Sequence, residues 1–157
     1  MLSRTGEYAL RAVLLLATRG EREAVPVGEI AGALGVPRNY LGKTLQRLVK
    51  RGVLKSVRGP GGGFVLARRA EALPIAVVVG EFDALESDGR CMLGSADCDE
   101  AHPCAAHARW TAWSKALAGL LEGTTVGDLV GREMGAEAEA FGGAGAGAGT
   151  DRNEVEA

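Results

Sequence analysis

The stretch VLKSVRGPGGGFVLAR, residues 53–68, constrains the fold of this chain more than any other. Two short β-prone runs, VLKSV and FVLAR, flank RGPGGG, whose glycines can take the positive φ of a tight reversal, so a two-stranded hairpin is expected. What precedes it reads as helix. From Arg4 to Arg19 the apolar residues Leu10, Val13, Leu14 and Ala17 recur at helical spacing. After a turn over 20–26, GEIAGALG reads as a short second helix with Ile30, Ala33 and Leu34 inward. Pro37 suits the first position of a third helix, with Leu41, Leu45, Leu48 and Val49 on its apolar side and Gly52 just past its end. Two helices joined by a short glycine-containing turn make a helix-turn-helix. Followed directly by a hairpin, it is a winged helix, so the expected fold class is mainly α with a small β-hairpin wing.

Charge separates this part of the chain from the rest. Residues 1–70 carry 13 Lys and Arg against 4 Asp and Glu, whereas residues 71–157 carry 5 against 16. A basic half joined to an acidic half is the composition of a polyanion-binding module followed by a sensory or assembly module. The outer side of the third helix presents Arg38, Asn39, Tyr40, Lys43, Gln46, Arg47 and Lys50, donors and amides able to bond base edges or phosphates in a major groove. Arg58 stands at the wing tip, where it can enter a narrow minor groove, and Gly61 beside it lets backbone approach a phosphate. The triplet Gly42-Lys43-Thr44 imitates the end of a nucleotide-binding P-loop. That motif needs glycine at position 37, which is Pro37, and a place between strand and helix rather than inside a helix. The expected partner is double-stranded DNA.

Beyond the wing, IAVVVGEF reads as a linking helix, followed by a cysteine-containing loop and a long helix from about Ala105 to Glu122. On that helix Ala106, Trp110, Trp113, Leu117 and Leu120 step by 4, 3, 4 and 3, the seam of a helix pair, so Trp110, Trp113, Leu117 and Leu120 are candidates for a homodimer interface. The chain therefore divides into a winged helix-turn-helix (1–70), a linking helix and cysteine loop (71–104), a dimerisation helix with a short C-terminal helix (105–134) and a Gly/Ala/acid-rich tail (135–157). That tail has too little apolar surface to offset its chain entropy, and disorder is expected there. The apolar run Ala12–Ala17 is too short for a secretory signal, and no stretch has the length to span a bilayer, so a cytoplasmic protein with no membrane partner is expected.

All three cysteines and both histidines lie between Cys91 and His107, in the arrangement Cys91-x6-Cys98-x5-Cys104-x2-His107. Structural zinc sites are usually built from two C-x2-4-C knuckles, and none is present. Long intervals fit a loop wrapped around a larger body, and thiolates are the usual ligands of iron-sulfur clusters. His107 is one helical turn from Cys104, so both can face one metal centre, whereas His102 reads as an exposed loop residue. Metal-free cysteines acting as a thiol switch form the alternative. A small metalloenzyme with Glu7 or Glu81 as base finds no acid-base constellation to support it, and no small-molecule substrate is expected.

The N-terminal SRTGEYALRAVLLLA, the wing VRGPGGGFVLAR and the Cys-x6-Cys-x5-Cys-x2-His-x2-Trp block together resemble the Rrf-type bacterial transcription regulators, over about residues 1–130. The family includes iron-sulfur cluster regulators and nitric-oxide sensors. The resemblance implies a homodimeric winged-helix repressor on near-palindromic promoter DNA, with the long helices crossing at the dimer interface. It also implies a cluster held by three cysteines and one further ligand. In the cluster regulators that ligand is a histidine placed as His107 is, and the cluster is 2Fe-2S. In the nitric-oxide sensors an acidic residue near the N-terminus of the partner subunit completes a 4Fe-4S cluster, and Glu7 stands at that place. The ligand set taken from the resemblance is Cys91, Cys98, Cys104 and His107, with 2Fe-2S favoured over 4Fe-4S and Glu7 as the alternative fourth ligand. Two features depart from the family: the first cysteine interval is six residues where five is usual, and Gly42 stands where a side chain selecting between operators is expected.

Overall fold

The computed structural model describes residues 2–20, 23–83, 91–95 and 98–133, with 131–133 described by backbone alone; the tail expected over 135–157 lies outside the described residues. Helices α1 (Arg4–Arg19), α2 (Val27–Leu34) and α3 (Arg38–Lys50) lead into strands β1 (Leu54–Val57) and β2 (Gly63–Leu66). A 3-10 turn (Ala70–Ala72), a short α4 (Ile75–Val79), the long α5 (His107–Gly123) and α6 (Val126–Glu133) follow. This is the expected winged helix, mainly α with one hairpin.

Ser3 caps α1, its Oγ accepting the Gly6 N–H at 3.1 Å. The buried stripe of α1 is Ala9, Ala12, Val13 and Leu16, with Leu10, Leu14 and Ala17 half-buried at its flanks, so of the four expected inward residues only Val13 is fully enclosed. The reason is that α1 runs through the middle of the molecule. It packs against α2, α3, α4 and α6, and the small Ala9 and Ala12 let these neighbours approach. On α2, Ile30 and Ala31 are buried, while Ala33 is exposed. A single narrow contact with α1 and α3 covers one side of so short a helix, and Ala33 lies about 200° around it from Ala31.

Pro37 caps α3 from outside rather than serving as its first residue, and the helix starts at Arg38. At the other end the Val53 N–H reaches back to the Leu48 carbonyl (2.9 Å) and the Gly52 N–H to that of Val49 (3.0 Å), a paired closure that turns the chain into β1. Leu41, Leu45 and Leu48 are completely buried, and full burial of each such side chain contributes roughly 1.5–3 kcal/mol. The strands pair antiparallel in the register Leu54↔Leu66, Lys55↔Val65, Ser56↔Phe64, Val57↔Gly63. Val25 adds an isolated antiparallel bridge on the other side of β2 by exchanging hydrogen bonds with Phe64 (3.0 and 2.9 Å), and its carbonyl lies so close to Gly63 that no β-carbon would fit there.

The core continues past residue 70. Leu73, Ile75, Val78, Leu121 and Val126 belong to the same buried cluster as Val13, Leu45 and Phe64. Ile75 donates its N–H to the Thr124 carbonyl (2.9 Å) and Val126 to that of Leu73 (2.8 Å), which sews the entry of α4 to the α5–α6 junction. The winged helix is therefore completed by α4, the end of α5 and α6. The divisions at 70/71 and 104/105 separate stretches of sequence that share one core.

Helix α5 begins at His107, two residues later than expected, and buries Ser114, Ala118 and Leu121. Of the expected seam, Leu117 is half-buried against the core and Trp110 is half-buried, while Trp113 and Leu120 are exposed. The two tryptophans stack, their centroids 5.1 Å apart.

Candidate metal centre and DNA-binding face

Three turns bring the cysteines together. The Gly94 N–H bonds the Cys91 carbonyl (3.0 Å) and the Leu93 N–H bonds the Cys91 sulfur (3.4 Å). Asp99 Oδ1 accepts the N–H groups of Ala101 (2.8 Å) and His102 (2.6 Å), shaping the chain between Cys98 and Cys104. The Cys104 N–H then points to the Cys98 sulfur (3.4 Å), and its carbonyl receives the His107 N–H (3.0 Å) that opens α5. As a result the sulfurs of Cys91, Cys98 and Cys104 all lie within 4.8 Å of one another, with 3.5 Å between those of Cys91 and Cys104. His107 Nδ1 is 3.3 Å from the Cys98 sulfur. Cys98 is buried and its two partners half-buried.

Among the described residues the donor set is three thiols with an adjacent imidazole and no carboxylate. It fits a soft metal or an iron-sulfur cluster, whose sulfur ligands are tuned by backbone N–H groups such as those of Leu93 and Cys104. Backbone N–H donors from Leu93, then Ser95, hold the Cys91 thiol down to about 7. For Cys98 the Cys104 N–H lowers the pKa, but burial and the neighbouring sulfurs outweigh it and push the thiol up. Glu7 is elsewhere occupied within its own chain, pairing with Arg11 at 2.9 Å. His102 lies exposed against Asp99, with Nδ1 3.4 Å from Oδ1.

The second candidate surface is the outer side of α3. Arg38, Asn39, Lys43, Gln46 and Lys50 are exposed around a concavity of about 640 Å³ whose lining also includes Val27 and Gly42. At the wing tip Arg58 is exposed, and Gly61 takes φ +73°, a conformation that side chains rarely adopt. Two of the residues expected here have intramolecular partners. The Tyr40 hydroxyl is 2.6 Å from Thr5 Oγ1, and its ring meets Tyr8 edge to face, tying α3 to α1. Arg47 also lines the concavity, but its guanidinium is held by Glu81 and lies over Phe82.

Residues 2–132 match the family described as "Rrf2: Iron-dependent Transcriptional regulator". The chain belongs to the Rrf2 family. It is 35% identical over 132 residues to the HTH-type transcriptional regulator IscR of Escherichia coli K12, covering 84% of this chain and 81% of that one. IscR of Klebsiella pneumoniae strain 342 matches equally, over 80% of its length. Among solved structures, CymR, the global cysteine regulator of B. subtilis, superposes with a TM-score of 0.72 at 22% identity, over 85% of this chain and 98% of CymR. T. potens IscR superposes with a TM-score of 0.68 at 24% identity, over 83% and 86%. This Rrf2 protein is accordingly an IscR-like DNA-binding transcriptional regulator and not an enzyme. No helix among the described residues is long and apolar enough to cross a membrane.

Sequence reasoning did not anticipate Thr5, Phe82 or Asp83 as structural ties of this Rrf2 chain, and it weighed Glu81 only as a possible base. Their partners lie 34 to 80 residues away, so no periodicity in the sequence marks them. Met92 and Leu93 were also missed. They are 62% and 68% exposed and, with Trp110 and Trp113, line an apolar groove of about 510 Å³ beside the cysteines.

Proposed function

We propose that this regulator binds an iron-sulfur cluster through Cys91, Cys98, Cys104 and His107, and that the state of this site sets its affinity for promoter DNA. The observation that carries the reading is the convergence of three sulfurs within 4.8 Å, with the His107 imidazole against Cys98. When bound, the cluster supplies reversible chemistry toward electrons, oxygen or nitric oxide. The 2Fe-2S form is favoured, because His107 is on hand as fourth ligand while Glu7 is paired with Arg11. The regulator acts in the cytoplasm as a homodimeric repressor on a near-palindromic site. Trp113, Leu120 and the adjoining apolar groove form the surface that a second copy covers, with Trp110 and Leu117 at its border. Arg38, Asn39, Lys43, Gln46, Lys50, Arg58 and Gly61 form the DNA-facing surface, with Tyr40, held by Thr5 and Tyr8, at its edge.

A second reading is favoured by the 3.5 Å between the Cys91 and Cys104 sulfurs and by the low pKa of Cys91. Two thiols and hydrogen peroxide would give a Cys91–Cys104 disulfide and two waters, so the protein would sense oxidants without metal. Anaerobic purification with iron, sulfide and zinc analysis and visible circular dichroism separates the readings. About two irons per chain with structured visible dichroism supports the 2Fe-2S reading, and about four shifts the fourth ligand to Glu7. Colourless protein that takes up no iron on anaerobic reconstitution, with thiols lost reversibly to peroxide, supports the disulfide. In the first case His107→Ala alters the cluster spectrum; an unchanged spectrum would remove His107 from the ligand set.

A further inference from the structure

Arg47 carries a positive charge on the reading helix, yet its guanidinium, about half exposed, is engaged by residues of its own chain. Nε donates to Glu81 Oε1 at 3.0 Å, an Nη donates to the Glu81 carbonyl, and the guanidinium carbon lies 4.4 Å from the centre of the Phe82 ring. This uses the fork and the flat face of arginine together, which a lysine cannot reproduce. Glu81 and Phe82 follow directly on α4, and the N–H groups of Phe82 and Asp83 both return to the Val79 carbonyl (2.9 and 3.0 Å). Asp83 is pinned on the other side. Its Oδ1 accepts the Ser3 N–H at 2.9 Å, and its Oδ2 lies against Gly6, where a β-carbon would collide with it. Three consecutive residues thus join the end of α4 to α3 and to the start of α1. Helix α4 in turn packs on α5, which begins at His107 beside Cys98.

We propose that Arg47 is a positioning residue rather than a DNA contact, and that its tie to Glu81 and Phe82 carries changes at the cysteine site to the reading helix through α5 and α4. A phosphate could draw Arg47 away from Glu81 only by breaking two hydrogen bonds and a stacking contact, and in the geometry shown it would meet just the three N–H groups that these bonds do not use. Leaving them intact fixes the tilt of α3, on which every base contact depends. The transmission part rests on the metal-dependent regulation proposed above; the positioning part does not.

The test measures binding of the full-length protein to a labelled duplex enriched by the wild-type protein from a random pool, over a range of salt concentrations. The variants are Arg47→Gln, Arg47→Lys, Glu81→Gln and the double variant Arg47→Gln with Glu81→Gln. Positioning predicts that each single variant weakens binding by about threefold or more and that the double variant is no weaker than the worse single, as for residues acting as one unit. The salt slope stays that of the wild type. A phosphate contact predicts otherwise: Arg47→Gln lowers the slope by about 0.9, Arg47→Lys binds nearly as wild type and Glu81→Gln binds more tightly, a result that overturns the proposal. For transmission, the ratio of affinities between metal-loaded and chelator-stripped protein contracts toward one in Arg47→Lys and Glu81→Gln. A ratio unchanged from wild type overturns transmission. A wild-type ratio of one sinks the metal-dependent regulation itself, and the slopes still decide the role of Arg47. Should Glu81→Gln fail to fold, Phe82→Leu, which removes only the stacking, takes its place with the same expected outcome.

Discussion

In the winged helix Leu41, Leu45 and Leu48 are completely enclosed and Val53 and Leu54 almost so, whereas among the described residues of the cysteine loop only Cys98 is buried and Met92 and Leu93 stand 62% and 68% exposed. Both regions have well-formed turns, but they draw their order from different sources. Around α3 the order comes from apolar burial, with the turn at Gly52 and the Val25–Phe64 bridge holding the wing against the helices. Around Cys91–Cys104 it comes from short hydrogen bonds to Asp99 and to sulfur, with little apolar shelter. The first kind of region is held by the packing of its core, so lost volume there costs stability. The second contributes little to that core, so losing a sulfur should leave the fold intact and, on the reading proposed above, remove the function of the site.

The sharpest way to break this contrast is Cys98→Ser. It is expected to reduce bound iron after anaerobic reconstitution to background while the far-ultraviolet dichroism and urea midpoint of the metal-free protein stay near wild type; a large loss of metal-free stability would show that Cys98 belongs to the fold after all. The converse change, Leu45→Ala, should cost about 2–5 kcal/mol in urea unfolding, as expected for emptying a closed core position. In reduced, metal-free protein, alkylation of Cys91 should rise with pH to half its maximum near 7, because the thiolate reacts and its pKa is lowered. Cys98, with a raised pKa, responds only under more alkaline conditions. At neutral pH mass spectrometry should show Cys91 alkylated well ahead of Cys98, because only its thiol is lowered to about 7. Trp113→Ala combined with Leu120→Ala should weaken self-association about tenfold in sedimentation, and monomer–dimer behaviour identical to wild type would move the dimer surface elsewhere. The smallest effect is expected of Lys43→Ala, which should lower the salt slope of DNA binding by about 0.9 and the affinity by a few-fold.

Much of this was legible in the chain. Helical periodicity located α1 and α3, and RGPGGG between two β-prone runs located the wing, because these signals are local and repeat within a few residues. The convergence of the three cysteines was legible because they are close in sequence, and the turns between them bring their sulfurs together, with His107 beside Cys98. Deeper burial patterns were less legible: Ala9 and Ala12 carry no strong apolar signal, yet they are fully buried on a helix that packs against four others.

By itself, then, the sequence determined the order of helices and strands, the basic character of the reading surface and the soft-ligand character of the cysteine loop. Only the tertiary structure decided which polar side chains on α3 remain available. Tyr40 and Lys43 look alike as candidates until Thr5 and Tyr8 are seen to occupy the first, and Arg47 differs from Arg38 only because Glu81 and Phe82 meet it. It also decided that Leu121 and Val126 complete the winged-helix core. The physical reason is the same in each case. Local patterns follow from backbone geometry repeated every few residues, but a contact between chain-distant groups depends on how whole helices pack, and that leaves no period in the sequence.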